Sequence, residues 1–124
     1  MERDPSIIRR ILAATSEAAG EWSLSAVPAR LADVPAAVLL HHVDILEEVG
    51  YLEVRRESTI RRTEVFVSAM TWKGHEVHDA LASEDRWAAI VREFKLDDGG
   101  HVPLVVLLDY AFWLARREAG AGMT

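Results

Sequence analysis

Histidines and arginines are the residues whose spacing in this chain invites chemistry. His75-Glu76-Val77-His78-Asp79 sets two histidines three apart, a spacing that shares one helix face. A zinc-protease helix needs spacing four and a third ligand. No metal site is therefore expected here, and His75 is expected to be structural, bonded to backbone near Trp72. No nucleophile elbow, phosphate-cradling loop or dinucleotide fingerprint occurs, and Gly99-Gly100 is an isolated pair. The chain has no cysteine, which removes disulfides, thiol catalysis and cysteine-ligated metals. The residues point to a protein with no catalytic site and no cofactor.

The arginines offer a different chemistry. Arg55 and Arg56 precede a short turn and Arg61 and Arg62 follow it, so the four are expected to gather near one hairpin tip. Guanidinium groups so placed contact phosphates or enter a minor groove. Arg30 and His41, with Arg9 and Arg10, are candidates to extend this patch. The competing reading is a solvated hairpin whose arginines are partly neutralised by Glu53, Glu57 and Glu64. The preceding helix argues against base reading in the major groove. Residues 35–50 contain no Lys or Arg but hold Asp44, Glu47 and Glu48. His41 and His42 are its only neutral polar candidates, and His42 reads equally well as a packed, hydrogen-bonded side chain. Any grip on DNA is thus expected to fall to the hairpin and the helix termini.

The elements that must position these residues follow from periodicity and punctuation. Asp4 caps and Pro5 opens a helix over residues 5–19, with Ile7, Ile8, Ile11 and Leu12 as its apolar stripe and Gly20 as its stop. Residues 22–33 are ambiguous: Leu24, Val27 and Leu31 fit a short helix, while Pro28 and the serines fit an extended strand. Pro35 opens a helix to Gly50, with Leu39, Val43 and Leu46 facing the core. Residues 51–56 and 62–70 alternate as two strands around a turn at 57–60. Thr71 caps a helix to residue 82, and Ser83 caps another to residue 95. Residues 96–100 form a loop, Pro103 starts a last helix to about residue 118, and residues 119–124 are expected to fray.

That last helix is apolar on more than one side. Leu104, Leu108, Ala111 and Ala115 form one stripe, while Val106, Tyr110 and Trp113 lie well round from it. Leu104, Leu107, Leu108, Tyr110, Ala111, Phe112 and Trp113 are therefore expected to meet a second copy in a homodimer. Trp22, Trp72, Trp87 and Trp113 are read as core or interface anchors, since they do not line up along a strand face.

Length and composition fit this picture. The chain has 124 residues, half of them hydrophobic, and a net charge of −6. One domain is expected: residues 1–95 form a core with its following helices, and residues 96–124 add a loop and a dimerisation helix. The modest negative charge gives no global attraction to nucleic acid, so a DNA surface must be a local basic patch. Residues 102–115 are broken by Asp109 and too short to span a bilayer, and the charged start is no signal peptide. A cytoplasmic location, without membrane contact, is expected.

The order helix, short irregular element, helix, hairpin, helix is that of a winged helix-turn-helix: mostly α with a small β-hairpin, here with additional C-terminal helices. The chain also resembles an uncharacterised family of small bacterial and phage proteins. The likeness rests on Arg3-Asp4 with Ile7-Ile8-Arg9-Arg10-Ile11-Leu12, and on His42 with Ile45-Leu46-Glu47-Glu48-Val49-Gly50-Tyr51-Leu52. Its most specific stretch is Met70-Thr71-Trp72-Lys73-Gly74-His75-Glu76, with Asp79-Ala80 and Trp87 downstream. The step Thr71 to Gly74 is also similar to the exit from the wing in many winged-helix transcription regulators. The resemblance implies a winged-helix-like fold and no enzymatic role. Two functions fit: a DNA-binding, transcription-regulator-like protein, or a protein-interaction module using Val38, His41, Asp44, Ile45 and Glu48.

Overall fold

The computed structural model of the chain describes residues 3–122. These residues fall into two compact units that divide between Glu76 and Val77, inside a helix rather than at the glycine loop.

The first unit opens with α1 (Pro5–Glu17), whose N-terminus is capped by Asp4 accepting from Ser6 N–H at 2.9 Å. Gly20 plays no part in ending α1, because Ala18 already leaves the helix in an extended conformation. The ambiguous segment resolves into both of its alternatives. Trp22–Ser23 is a two-residue strand, β1, and Ala29–Leu31 is a 3₁₀ turn. Then come α2 (Ala36–Glu48), β2 (Leu52–Ser58) and β3 (Thr63–Met70). The sheet is antiparallel in the order β1-β3-β2.

Gly50 ends α2 with φ of +84°, a conformation that favours glycine. Its N–H donates to Glu47 C=O and the next N–H, of Tyr51, donates back to Leu46 C=O at 2.8 Å, the paired bonds of a Schellman turn. This turn throws the chain directly into β2. Leu39, Val43 and Leu46 are buried with Ile8, Ile11 and Leu12 of α1, as the helical spacing requires, and α1 packs on both α2 and β3.

His42 is also fully buried. Its Nε2 accepts from Asp4 N–H at 2.8 Å and its Nδ1 donates to Val38 C=O at 2.7 Å, so both ring nitrogens are satisfied. The histidine is a rivet between α2 and the cap of α1, and it joins two of the stretches that carry the family resemblance.

The helix α3 (Trp72–Ala82) begins in the first unit and ends in the second. The second unit adds α4 (Glu84–Phe94) and α5 (Leu104–Gly122). Ser83 caps α4 by accepting from Arg86 N–H, and Glu84 and Asp85 occupy the first turn, where the helix dipole favours carboxylates. Arg86 donates to Asp79 and Ala80 carbonyls at the end of α3 and pairs with Glu118 of α5, a role its sequence position did not advertise. The tail expected to fray is helical through Gly122, and residues 123–124 lie outside the described residues.

Candidate nucleic-acid interface

The hairpin of β2 and β3 divides the four arginines instead of gathering them. Successive strand residues point to opposite faces. A register irregularity between Glu53 and Val54 sets Arg55 opposite Phe66 and Arg56 opposite Val65. Arg56 therefore shares the face of Leu52 and Val54, towards α2, and donates to Asp44 at 2.9 Å and to both oxygens of Glu47 at 2.9 and 3.0 Å. Arg55 lies on the other face. Its guanidinium carbon stands 4.1 Å over the Phe66 ring, and it pairs with Glu57 and, across the middle strand, with Glu21 at 2.6 Å. Glu21 also accepts from the Ser68 hydroxyl. The Arg55 hydrogen bonds hold the Glu21 carboxyl below the ordinary glutamate range; burial opposes this and the Ser68 bond adds to it.

The tip differs. β2 runs two residues further than the alternation of residues 51–56 implies, so the turn is Ile60-Arg61 and Arg61 sits in it rather than beside it. Thr59 N–H donates to Arg62 C=O at 2.8 Å, closing the loop. The Thr59 hydroxyl accepts from the Arg61 and Arg62 N–H groups and donates to Arg62 C=O, bracing the turn from inside. Among the described residues no carboxylate pairs with Arg61. Arg62 pairs with Glu64 at 3.4 Å while keeping 71% of its side chain exposed. Glu64 is turned mainly to the hydroxyls of Ser23 and Ser25, whose bonds lower its carboxyl below the ordinary range more than Arg62 does. Ile60 is fully exposed at the apex.

The other candidates are held elsewhere. Arg30 grips Glu17 through two bonds at 3.1 and 2.5 Å. Arg10 donates to Arg30 C=O at 2.6 Å and pairs with Asp33. His41 is half-buried, edge-on to His42 with ring centres 5.4 Å apart. Its buried Nε2 has no hydrogen-bond partner among the described residues. The outer face of α2 consists of Ala37, Leu40, Asp44 and Glu48. Ile45, read from the sequence as part of an interaction face, points into the core instead.

The motif around Thr71 is architectural. The Thr71 hydroxyl donates to Gly50 C=O at 2.5 Å and accepts from Gly74 N–H at 3.0 Å, tying the end of α2 to the start of α3. A Cβ on Gly74 would lie 2.1 Å from Tyr51 carbonyl oxygen. The threonine makes the tie and the glycine permits the approach. Trp72, read as an anchor, is instead 82% exposed, its indole N–H bonded to Glu76 at 3.1 Å; Trp22 is the buried one. His75 is exposed and not packed. No group of three His, Asp or Glu side chains suited to a metal occurs among the described residues.

On α5, Leu107, Leu108 and Ala111 are buried within the chain, so a partner could not reach them. The exposed apolar residues there are Val105, Val106 and Trp113. Trp113 stacks on Tyr110 and lies under Arg117. No helix among the described residues is long and apolar enough to cross a membrane.

A helix, a short strand, a turn, a second helix and a hairpin that completes a three-stranded sheet define a winged-helix protein, with β2 and β3 as its wing and α2 in the place of the recognition helix. The chain belongs to the family described as Hypothetical protein (DUF2513), which matches residues 2–100. A relative, an uncharacterised protein of Haemophilus influenzae (strain ATCC 51907 / DSM 11121 / KW20 / Rd), is 26% identical over 98 residues, spanning 77% of this chain and 80% of that protein. Among solved structures, Streptococcus pneumoniae FabT in complex with DNA is similar at 17% identity and a TM-score of 0.43, over 97% of this chain and 78% of that one. At that distance the likeness carries neither residue roles nor function.

Proposed function

We propose that this protein is a transcription-regulator-like DNA-binding protein that holds duplex DNA by the tip of its wing. The observation that supports this reading is the exposed cationic turn: Arg61 without a carboxylate partner among the described residues, and Arg62 largely exposed beside it. Phosphate contact by these two groups releases condensed counterions and gives up no more than the long Arg62–Glu64 pair. Arg55, Arg56 and Arg30 would each exchange a carboxylate for a phosphate, so they add little. The Nε2 edge of His41 is buried and not offered to a groove. The α2 face carries Asp44 and Glu48, which phosphates repel, so base reading by α2 is not part of the proposal.

The proposal includes self-association through α5, using Leu104, Tyr110, Phe112 and Trp113 together with Val105 and Val106. Asp109 stands exposed within this strip and Arg116 just beyond it. Light scattering at tens of micromolar tests it; a clean monomer ends it.

A salt-dependent binding assay with native protein and an Arg61→Glu/Arg62→Glu variant tests the DNA reading. Native binding should weaken steeply with salt and disappear in the variant. Failure of the native protein to bind any duplex at low salt would turn the choice to a second reading, a protein-interaction module. The exposed Leu40 on the acidic α2 face favours that alternative.

A further inference from the structure

The apex of the wing is the loop between β2 and β3, residues 59–62, in which neither Ile60 nor Arg61 has positive φ. A four-residue hairpin loop needs no glycine at its apex. The turn is held instead by the Thr59 hydroxyl, which bonds to main-chain groups of Arg61 and Arg62. A β-branched apolar side chain thus stands at 106% relative exposure, where it stabilises nothing in the fold. A fully exposed isoleucine departs from the hydrophobic pattern without structural return, and such positions are where function is expected.

The surroundings specify the occupant. Ile60 is followed directly by Arg61 and Arg62, so the apolar group is presented with cationic groups on one narrow projection. An apolar pocket on a protein would accommodate the isoleucine but not two guanidinium groups beside it, unless it were also lined with anions. A minor groove supplies both: phosphates along its walls and stacked bases at its floor. It is about 6 Å wide, so the single turn can enter where the two-stranded ribbon cannot. Apolar side chains that enter a minor groove wedge between base steps and kink the duplex.

We propose that Ile60 is such a wedge. With Arg61 and Arg62 on the flanking phosphates, its side chain enters the minor groove and partly unstacks one step, bending the DNA towards the major groove. Pyrimidine–purine steps, which unstack most easily, are the preferred sites. The proposal rests on the DNA reading above and adds to it a mechanism and a sequence preference that need no base contact from α2.

The test uses the full chain and short A·T-rich duplexes containing 2-aminopurine at a TA step, with donor and acceptor dyes at the ends of a parallel set. Native protein should raise 2-aminopurine fluorescence and shorten the end-to-end distance. Ile60→Ala should bind roughly tenfold more weakly, from the apolar contact it forgoes, and do neither. Because Ile60 touches nothing in the fold, the variant should unfold with the native midpoint. Native binding with silent fluorescence, or Ile60→Ala binding and bending as the native protein does, would overturn the wedge and leave the DNA reading standing. No native binding at about 50 mM salt would overturn both. A change in molar mass on light scattering in Ile60→Ala would overturn it differently, by showing that the isoleucine meets a second copy.

Discussion

The base and the tip of the wing carry the same residue type in opposite states. Arg55 and Arg56, low on β2, are each locked by two carboxylates, and Arg55 is further covered by its contact with Phe66. Arg61 and Arg62, a few residues on, meet one carboxylate between them among the described residues, and that carboxylate is committed chiefly to two serines. The pleat makes the difference. Near the base the strands run beside α2, which supplies Asp44 and Glu47, and beside Glu21, the residue before β1; beyond Ser58, among the described residues, the one acid paired with the tip is Glu64. An arginine on this wing is structural or available according to its height.

The largest effect should come from reversing the tip. Arg61→Glu/Arg62→Glu is expected to weaken duplex binding at least 100-fold at low salt while leaving the unfolding midpoint unchanged, since exposed substitutions stay within about 0.5 kcal/mol. Replacing both by alanine should lower the slope of log K against log salt by about 0.9 per lost phosphate contact. Equal losses in an Arg55→Ala/Arg56→Ala variant would erase the contrast between the two heights.

Next in size is the joint that fixes the wing to the helices. Gly74→Ala forces a methyl to within 2.1 Å of the Tyr51 carbonyl oxygen, and backbone cannot yield as a side chain does. About 2–3 kcal/mol of stability should be lost, the upper range of overpacking costs, measured by urea unfolding. Thr71→Val, which removes the bond to Gly50 and the cap on Gly74, should cost about 1 kcal/mol. A neutral Gly74→Ala would mean the turn after α2 can shift without consequence.

These sites show where the sequence was legible. The helices were: Asp4 before Pro5, the spacing of Leu39, Val43 and Leu46, Gly50 as a stop and Ser83 before two acids are local signals. The hairpin was also local. The state of the arginines was legible only in part: Glu57 and Glu64, read as neutralising acids, do pair with Arg55 and Arg62, but the other acids that hold Arg55 and Arg56 are Glu21, Asp44 and Glu47, separated from them by 34, 12 and 9 positions. Proximity along the chain suggested a cluster; alternation across the strand divides it. The strand β1 was readable only as one of two alternatives for a related reason, since two residues have no period and their structure exists only through pairing with Val67 and Phe66. Residues of the family motif that suggested an anchor and a packed histidine, Trp72 and His75, turned outward, and the neighbouring Thr71 and Gly74 made the joint.

A smaller effect separates the charge networks at the base from a merely solvated surface. Arg56→Ala should cost about 0.5–1 kcal/mol, the range for exposed ion pairs joined in a small network. It should leave DNA affinity within about twofold, because phosphate never had that guanidinium to itself. A large loss of affinity with no loss of stability would place Arg56 in the interface after all.

The smallest effect is one of pH. Glu21 and Glu64 both titrate below their ordinary value of 4.5, Glu21 first because of Arg55 and Glu64 first because of Ser23. A carboxyl whose folded value is depressed binds its proton more readily in the unfolded chain. Its contribution to stability is therefore complete above the unfolded value and is lost as pH falls below about 4.5 towards the lower folded value. Thermal unfolding followed from pH 6 downward should show the native midpoint falling more steeply in this acid window than that of Glu21→Gln, with the two curves converging at the acid end. The glutamine variant keeps the shape and loses the charge, so identical slopes would mean that the Glu21–Arg55 pair contributes nothing. The base of the wing would then be as electrostatically open as its tip.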